Sequence, residues 1–304
     1  MYSIVGSGFG LYGYLPALVR LDKNNHIVLP QKYREKILSR KELKGFDRDI
    51  LWASSSEEAL KKTTDLIMAV PPSAQYSIVK KIVKESNIET INLEKPIAPS
   101  AELSEDLLDF LDFHEIKYVI GYSFFYLNLQ DKFDYLIARE EDIYWNWEFM
   151  AHHFSMNLDN WKRYHDVGGG VLRFYGIHMI ALLSALGYDN VAHSILTQDN
   201  INEPHLWKAS FSGAGIPLCN ISLNCKSKNN IFDVSNDSLG AVISSRDPFD
   251  LITEDVKDLD NRVPILRKII DKSSYRQYKL KSLYRDINKL WKKVEETTKI
   301  MKTC

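Results

Sequence analysis

The stretch Ile4-Val5-Gly6-Ser7-Gly8-Phe9-Gly10 decides the fold of this chain. Its apolar start predicts a strand, and residues 14–19, Tyr-Leu-Pro-Ala-Leu-Val, predict a helix. A glycine turn between a strand and a helix lets backbone amides approach a pyrophosphate at the positive end of the helix. Glycines also form tight turns that bind nothing, so the neighbouring segments have to decide between the two interpretations.

Length and composition are those of an ordinary globular protein with two domains. The chain has 304 residues, a formal net charge of -1 and 45% hydrophobic residues. This composition argues against disorder and against the strongly basic surface that nucleic-acid binding requires. We therefore expect a small-molecule partner and no nucleic acid.

Cysteine usage and hydropathy predict a cytoplasmic protein. The cysteines Cys219, Cys225 and Cys304 form no Cys-x-x-Cys pair, and no signal peptide precedes the first strand. The longest apolar stretch, residues 177–186, is about half of the roughly 20 residues that a membrane helix needs, so no membrane span is expected. No metal site is predicted either, because His152 and His153 are adjacent in a strand-like stretch and would point to opposite sides.

Strands alternate with helices over the first part of the chain. Apolar runs predict strands at residues 26–29, 65–70, 89–93 and 118–121, and helices are expected near residues 78–83 and 103–114. Strands that alternate with helices predict a doubly wound parallel sheet. We assign residues 1–121 to an N-terminal dinucleotide-binding Rossmann domain.

A different pattern follows and predicts a C-terminal α+β domain over residues 122–304. In the strand that starts at residue 143, Trp145, Trp147 and Phe149 alternate with polar residues, and residues 219–225 show the same alternation. This is typical of a large, mostly antiparallel sheet with one open face. Helices are expected at residues 171–186 and, as a strongly amphipathic C-terminal helix, at residues 280–294.

Two basic stretches allow two interpretations each. Residues 31–48 contain seven Lys and Arg against three acids, and residues 262–302 contain thirteen against four. Both are typical of solvated helix faces. Alternatively, the first binds a cofactor phosphate and the second an anionic substrate or partner.

Three further segments contain residues suited to chemistry. The first joins Ala69-Val70-Pro71-Pro72 to Glu94-Lys95-Pro96, where a lysine at a strand end can hydrogen-bond a substrate hydroxyl and ease its deprotonation. The second, Gly121-Tyr122-Ser123-Phe124, leaves the last strand of the first domain. The third runs from Asn160-Trp161-Lys162 through the glycines at 168–170 to Arg173-Phe174-Tyr175-Gly176-Ile177-His178.

In this order and spacing the segments resemble the glucose-fructose oxidoreductase/inositol dehydrogenase (Gfo/Idh/MocA) family, motif by motif over residues 1–190. The resemblance implies an NAD(P)-dependent dehydrogenase or reductase that acts on CH–OH groups of a sugar, nucleotide sugar or cyclitol. It also implies a homo-oligomer, a dimer or tetramer, formed through the open sheet. Carried over by position, Lys95 matches the active-site lysine of the family and His178 its active-site histidine, the usual proton acceptor or donor.

The resemblance and the residue types together give a candidate set for each part of the site. The predicted cofactor-binding residues are Gly6, Ser7, Gly8, Phe9, Gly10, Lys32, Arg34, Pro71, Glu94 and Lys95. The predicted substrate-binding residues are Tyr122, Trp161, Lys162, Arg173, Phe174 and Tyr175.

One departure from the family pattern lies beside the histidine. The family usually has an aspartate four residues before it, and here Phe174 takes that place. Either Arg173, Tyr175, Tyr122 or Asp166 contacts an unusual substrate while Phe174 packs against it, or the dehydrogenase chemistry is lost or diverted. In the second case the chain is a cofactor-binding protein with a structural or regulatory role. The retention of Lys95 and His178 favours the first explanation.

The cofactor end departs as well. The third glycine of the fingerprint falls at Leu11, so close packing of helix on strand has to be arranged differently. The strand at residues 26–29 is followed by Lys32 and Arg34, without the acid that would bind the ribose hydroxyls of NAD. Two cations there favour NADP over NAD, unless they only cover a helix surface.

Overall fold

A computed structural model describes residues 1–21, 26–271 and 277–303, and for residues 277–279 it describes the backbone only. The chain forms two compact units. The first comprises Met1–Ala98, Asp106–Ser123 and Ile252–Leu280, and the second comprises Pro99–Glu105, Phe124–Leu251 and Lys281–Cys304. Cys304 itself lies outside the described residues.

The first unit contains a six-stranded parallel sheet. Its strands are β1 (Tyr2–Val5), β2 (Ile27–Pro30), β3 (Ile50–Ala53), β4 (Asp65–Met68), β5 (Thr90–Leu93) and β6 (Lys117–Ile120). Their order is β3-β2-β1-β4-β5-β6, and every pairing in the sheet is parallel. This is the doubly wound order of a Rossmann fold, in which the strand order reverses between β1 and β4.

Helices connect these strands. They are α1 (Leu15–Leu21), α2 (Arg34–Ser39), α3 (Ser56–Lys61), α4 (Pro72–Glu85) and α5 (Ala101–Phe113). A π-helical turn over Gly10–Tyr14 precedes α1. Side chains of β2, β4 and β5 are buried along each whole strand, as expected for a sheet covered on both faces.

The second unit contains a seven-stranded sheet. Its strands are β7 (Ile143–Met150), β8 (Asn190–Gln198), β9 (Pro204–Gly213), β10 (Ile216–Asn224), β11 (Lys226–Asn236), β12 (Gly240–Ser245) and β13 (Thr298–Lys302). The order is β12-β11-β7-β10-β9-β8-β13. Only the β7–β10 and β8–β13 pairings among the described strands are parallel. The predicted combination of a parallel sheet with a large, mostly antiparallel sheet is confirmed.

The helices of the second unit include α6 (Gln130–Ile137), α7 (His152–Ser155) and α8 (Ile177–Ala185), the last preceded by a π-helical turn over Val171–Gly176. His152 and His153 thus begin a short helix, and the predicted strand at this point is wrong. The alternation on β7 is as predicted, with Trp145 and Trp147 buried and Tyr144 exposed.

The C-terminal region contributes elements to each of the two units. Helix α9 (Val263–Ile270) belongs to the first unit, whereas α10 (Gln277–Thr297) and β13 lie for the most part in the second. This division differs from the predicted boundary at residues 121 and 122 because α9 buries an apolar face against α1 and the π-helical turn. Leu266 on α9 packs closely on Gly13 of the π-helical turn, because a Cβ atom on Gly13 would lie only 3.0 Å from Leu266 Cδ1.

Leu266→Ala should destabilise the protein by about 2–5 kcal/mol, because Leu266 is 3% exposed and its loss leaves a cavity beneath α9. The measurement is the free energy of unfolding in urea. Lys268→Ala, an exposed position on the same helix, is the matched control and should change little. Equal effects of the two variants would contradict the packing described for α9.

Candidate functional site

Most predicted cofactor-binding residues lie at one edge of the parallel sheet. Gly6 follows β1, Pro71 follows β4, and Glu94 and Lys95 follow β5. All six strands run in the same direction, so these residues share the carboxyl edge of the sheet. Open α/β sheets bind ligands at this edge, at the point where the strand order reverses.

Three glycines of the turn have three different surroundings. Gly6 has a φ of +132°, and a Cβ atom there would lie 2.2 Å from the carbonyl oxygen of Ala69. A Cβ atom on Gly8 would meet nothing within 4 Å. Gly6 therefore allows the turn to lie against the end of β4, and Gly8 leaves open space where a ligand can approach the backbone.

Gly10 takes the packing role of the third fingerprint glycine. A Cβ atom there would lie 2.7 Å from Ile4 Cγ2 and 3.4 Å from Ala69 Cβ. Leu11, the position expected for this glycine, is buried instead. The π-helical start of the helix accompanies this one-residue shift. The turn thus keeps the features that a diphosphate requires, an open backbone and a helix start packed closely on the strand.

The residues after β2 contact the glycine turn. The Gly6 amide donates a hydrogen bond to the Tyr33 hydroxyl at 3.3 Å, and Lys36 Nζ lies 3.3 Å from Ser7 Oγ. Lys32 lies over the Tyr33 ring at 5.5 Å, and Arg34 lies 5.9 Å from the ring centre of Trp52. Of these basic residues, Lys36 is the one with a described contact to the turn. It belongs to the basic stretch noted in the sequence, but spacing alone does not single it out.

The segment after β5 is held by hydrogen bonds. The Tyr14 hydroxyl donates a hydrogen bond to Glu94 Oε1 at 2.5 Å, and the side-chain Nε2 of Gln75 donates one to the backbone carbonyl of Glu94 at 2.7 Å. Lys95 is 9% exposed, and its peptide bond to Pro96 is cis. Tyr122, after β6, is buried, and burial raises the pKa of its hydroxyl well above the ordinary value. It is therefore a neutral hydroxyl.

In the second unit, His178 lies in the first turn of α8. It is 4% exposed, and its ring stacks on Phe124 with 4.9 Å between ring centres and an interplanar angle of 17°. Phe124 in turn contacts Trp147 at 5.5 Å and Phe232 at 5.9 Å. An aromatic cluster thus fixes the plane of the imidazole.

Four predicted substrate-binding residues are neighbours in the second unit. The Trp161 and Phe174 rings meet edge to face at 5.3 Å, and the Phe174 and Tyr175 rings at 4.7 Å. Lys162 Nζ lies 5.1 Å from the Phe174 ring centre. Gly169 makes this approach feasible, because a Cβ atom there would lie 2.2 Å from the Trp161 carbonyl oxygen. We call Trp161, Lys162, Phe174 and Tyr175 the aromatic–lysine cluster.

Arg173, a predicted substrate-binding residue, makes an ion pair and a hydrogen bond within the second unit that the sequence did not predict. Its Nε lies 2.6 Å from Glu295 Oε1, and its Nη1 donates to the His165 carbonyl at 2.8 Å. Both side chains of the ion pair are largely buried, and Trp291 Nε1 donates to the same Glu295 oxygen at 2.8 Å. These bonds fasten the π-helical turn to α10.

His153 and His165 were not singled out as site residues by the sequence. Burial lowers the pKa of His153 to about 4, with Lys162 and Arg163 adding to the effect, and burial lowers that of His165 to about 3. Both imidazoles are therefore neutral near pH 7. The His153 ring faces Tyr175 at 6.3 Å, and its Nε2 has no hydrogen-bond partner among the described residues.

Within residues 1–21, 26–271 and 277–303, no group of three or more His, Cys, Asp and Glu side chains is placed to hold a metal ion. One helical stretch of the same part, His165–Ala185, is long and apolar enough to cross a membrane, but 72% of its apolar window is buried inside the protein. Such burial is typical of a core helix.

Of the comparisons with known proteins, only the one with solved structures finds proteins similar to this chain, and the similarity is one of fold. No family model and no curated protein matches the sequence. An oxidoreductase from Thermotoga maritima has a TM-score of 0.71 at 16% identity, over 97% of this chain and 95% of that one. KijD10, a 3-ketoreductase from Actinomadura kijaniata solved with NADP and TDP-benzene, has a TM-score of 0.68 at 10% identity, over 100% and 99%. The WlbA dehydrogenase from Bordetella pertussis, solved with NADH and UDP-GlcNAcA, has a TM-score of 0.69 at 12% identity, over 97% and 95%. The two-unit architecture is thus that of known oxidoreductases.

Gly10→Ala should destabilise the protein by about 1–3 kcal/mol, because the added Cβ atom would overlap Ile4. Gly8→Ala places the same atom in open space and should leave stability within about 0.5 kcal/mol of the unchanged protein. Urea unfolding of the two variants checks this. Equal stability of both would contradict the assignment of the packing role to Gly10.

Proposed function

We propose that this chain is an NAD(P)-dependent oxidoreductase of the glucose-fructose oxidoreductase/inositol dehydrogenase type. It transfers a hydride between a nicotinamide cofactor and an alcohol or keto carbon of a sugar, nucleotide sugar or cyclitol. The observation that supports this most is the glycine turn, with Gly6 against Ala69 and open space at Gly8, at the carboxyl edge of a Rossmann sheet. The fold shared with KijD10 and WlbA supports the same class.

The glycine turn would hold the diphosphate of the cofactor, and the nicotinamide supplies hydride acceptance and donation when bound. Backbone amides of residues 7–10, with the positive end of the helix behind them, offset the two negative charges. Pro71 and Glu94, at the ends of β4 and β5, border the same edge of the sheet.

We assign the proton transfer to His178 and hydrogen bonding of the reacting oxygen to Lys95. Oxidation of an alcohol releases a proton, and an imidazole suits its transfer near neutral pH. Stacking on Phe124 holds the ring of His178 in one plane. The cation of Lys95 favours a developing negative charge on the oxygen.

The aromatic–lysine cluster would bind the part of the substrate that does not react. Edge-to-face rings offer apolar faces to a sugar or base, and Lys162 offers a cation for phosphate or carboxylate groups. Phe174 thus has a role in place of the missing aspartate. A nucleotide sugar fits this combination, as do the TDP-benzene and UDP-GlcNAcA bound by KijD10 and WlbA.

The proposal includes contacts between copies of the chain and a cytoplasmic location. The polar face of the seven-stranded sheet, which includes Asn220, Ser222 and Asn224 on β10, forms the contact between copies in a dimer or tetramer. Cys219 and Cys225 are free, buried thiols, in keeping with a reducing, cytoplasmic setting.

Fluorescence titration with NADPH and NADH tests cofactor binding, and absorbance at 340 nm across sugars, nucleotide sugars and cyclitols tests turnover. The proposal expects binding of at least one cofactor, turnover on one substrate class, and a loss of about 10²-fold or more in kcat for His178→Ala. Gly8→Ala should abolish cofactor binding while the protein remains folded, because its methyl group fills the space left for the diphosphate.

Failure to bind either cofactor would contradict the proposal. Binding without turnover, and unaffected by His178→Ala, would instead favour a cofactor-binding protein with a structural or regulatory role.

The contact between Lys36 and Ser7 adds a prediction on cofactor choice. We propose that Lys36, together with Lys32 and Arg34, binds the 2′-phosphate of NADP. Lys36→Met should raise the Kd for NADPH about tenfold and leave that for NADH unchanged, because only NADPH has the 2′-phosphate. Lys61→Met removes a surface lysine from α3 and is the matched control. An equal loss for both cofactors would refute the assignment of Lys36 to the 2′-phosphate.

A further inference from the structure

Arg262 brings a cation from a distant part of the chain to the glycine turn. It immediately precedes α9, within the first unit, and its guanidinium carbon lies 4.2 Å from the ring centre of Phe9. Phe9 is the residue of the turn between Gly8 and Gly10. A cation over an aromatic face at this distance is a favourable contact, and it places the charge beside the backbone proposed to bind the cofactor.

Asp260 fixes the orientation of this guanidinium. Nε and Nη2 of Arg262 donate to the two carboxylate oxygens of Asp260 at 2.8 and 2.7 Å, and the Arg262 amide donates to Oδ1 at 3.0 Å. A bidentate pair of this kind sets a planar group in one position. The Arg262 side chain nevertheless remains 33% exposed, so a ligand can reach it.

The electrostatic surroundings connect Arg262 to the carboxyl edge of the sheet. Burial opposes its charge, but the hydrogen bonds and charge of Asp260 raise its pKa, with further contributions from Tyr12 and Glu94. Glu94 follows β5 and Tyr12 lies in the π-helical turn, so Arg262 is within electrostatic range of both sides of the proposed cofactor site. Its guanidinium is charged at every pH of interest.

We propose that Arg262 contacts the diphosphate of the dinucleotide bound at the glycine turn. This inference rests on the proposed function. A guanidinium is planar and always charged, and its N–H donors match the geometry of phosphate oxygens. Phe9 supports the plane of the group and Asp260 fixes its edge, so little side-chain entropy is lost on binding. The C-terminal segment thereby completes a site that the first ten residues begin.

The experiment compares two probes, one with and one without the diphosphate. Titrations use NADPH and adenosine 2′-monophosphate, or NADH and adenosine if the protein binds NADH alone. Arg262→Gln should raise the Kd of the dinucleotide tenfold or more, the effect of losing charged hydrogen bonds, and change the Kd of the fragment less than twofold. Arg262→Lys, which keeps the charge but not the fork, should show a severalfold loss for the dinucleotide.

Arg267→Gln is the matched control. Arg267 lies on α9 and pairs with Glu254 at 2.8 Å, and its loss should leave both affinities unchanged. Thermal unfolding of each variant without ligand shows whether it folds. If Arg262→Gln does not fold, the affinities of Arg262→Lys decide the question.

Two results would overturn the proposal. If both probes lose affinity equally, Arg262 acts by shaping the turn; if the dinucleotide loses none, Arg262 only anchors the segment before α9. A wild-type protein that binds neither dinucleotide would instead refute the proposed function.

Discussion

The first unit depends on the close approach of the glycine turn to the end of β4. Gly6 has no side chain where a Cβ atom would lie 2.2 Å from the Ala69 carbonyl oxygen, and its φ of +132° is one that other residues rarely adopt. The Ala69 amide also donates to the Val5 carbonyl at 2.8 Å. With β1 and β4 held together in this way, the point where the strand order reverses becomes a crevice lined by backbone, and the helix that follows starts against it.

In the second unit, aromatic packing surrounds His178 and Phe174. Phe124 stacks on His178, and Phe174 contacts Trp161 and Tyr175 instead of supplying an acceptor. The stacking holds the imidazole in one plane, so its two ring nitrogens keep fixed directions.

The sequence predicted the elements whose signals are local. The apolar runs at β4 and β5 and the alternation on β7 are patterns within single strands, so a parallel sheet and a mostly antiparallel sheet were both predictable. The replacement of the third glycine by Gly10 was not, because it depends on a π-helical start that no residue pattern specifies. The strand β13 was missed because its five residues, Thr-Lys-Ile-Met-Lys, are mostly exposed and show no alternation of apolar and polar residues.

Long-range contacts were beyond sequence reasoning for a different reason. Arg173 pairs with Glu295, and Arg262 lies on Phe9, across separations that spacing rules do not reach. The assignment of Ile252–Leu280 to the first unit likewise depends on which surface the apolar face of α9 covers. The contacts of Arg173 and Arg262 follow from the assembled fold. Composition alone would have described these two residues only as parts of basic or substrate-binding segments.

A crystal structure of the protein from crystals grown with saturating NADPH would show whether the glycine turn binds the diphosphate of the cofactor. We expect the diphosphate at the glycine turn, with its oxygens about 2.7–3.2 Å from backbone amides of residues 7–10 and the dinucleotide lying across the carboxyl ends of β1 and β4. A dinucleotide bound elsewhere on the protein, or an empty turn in crystals of the folded protein at saturating NADPH and at saturating NADH, would contradict it.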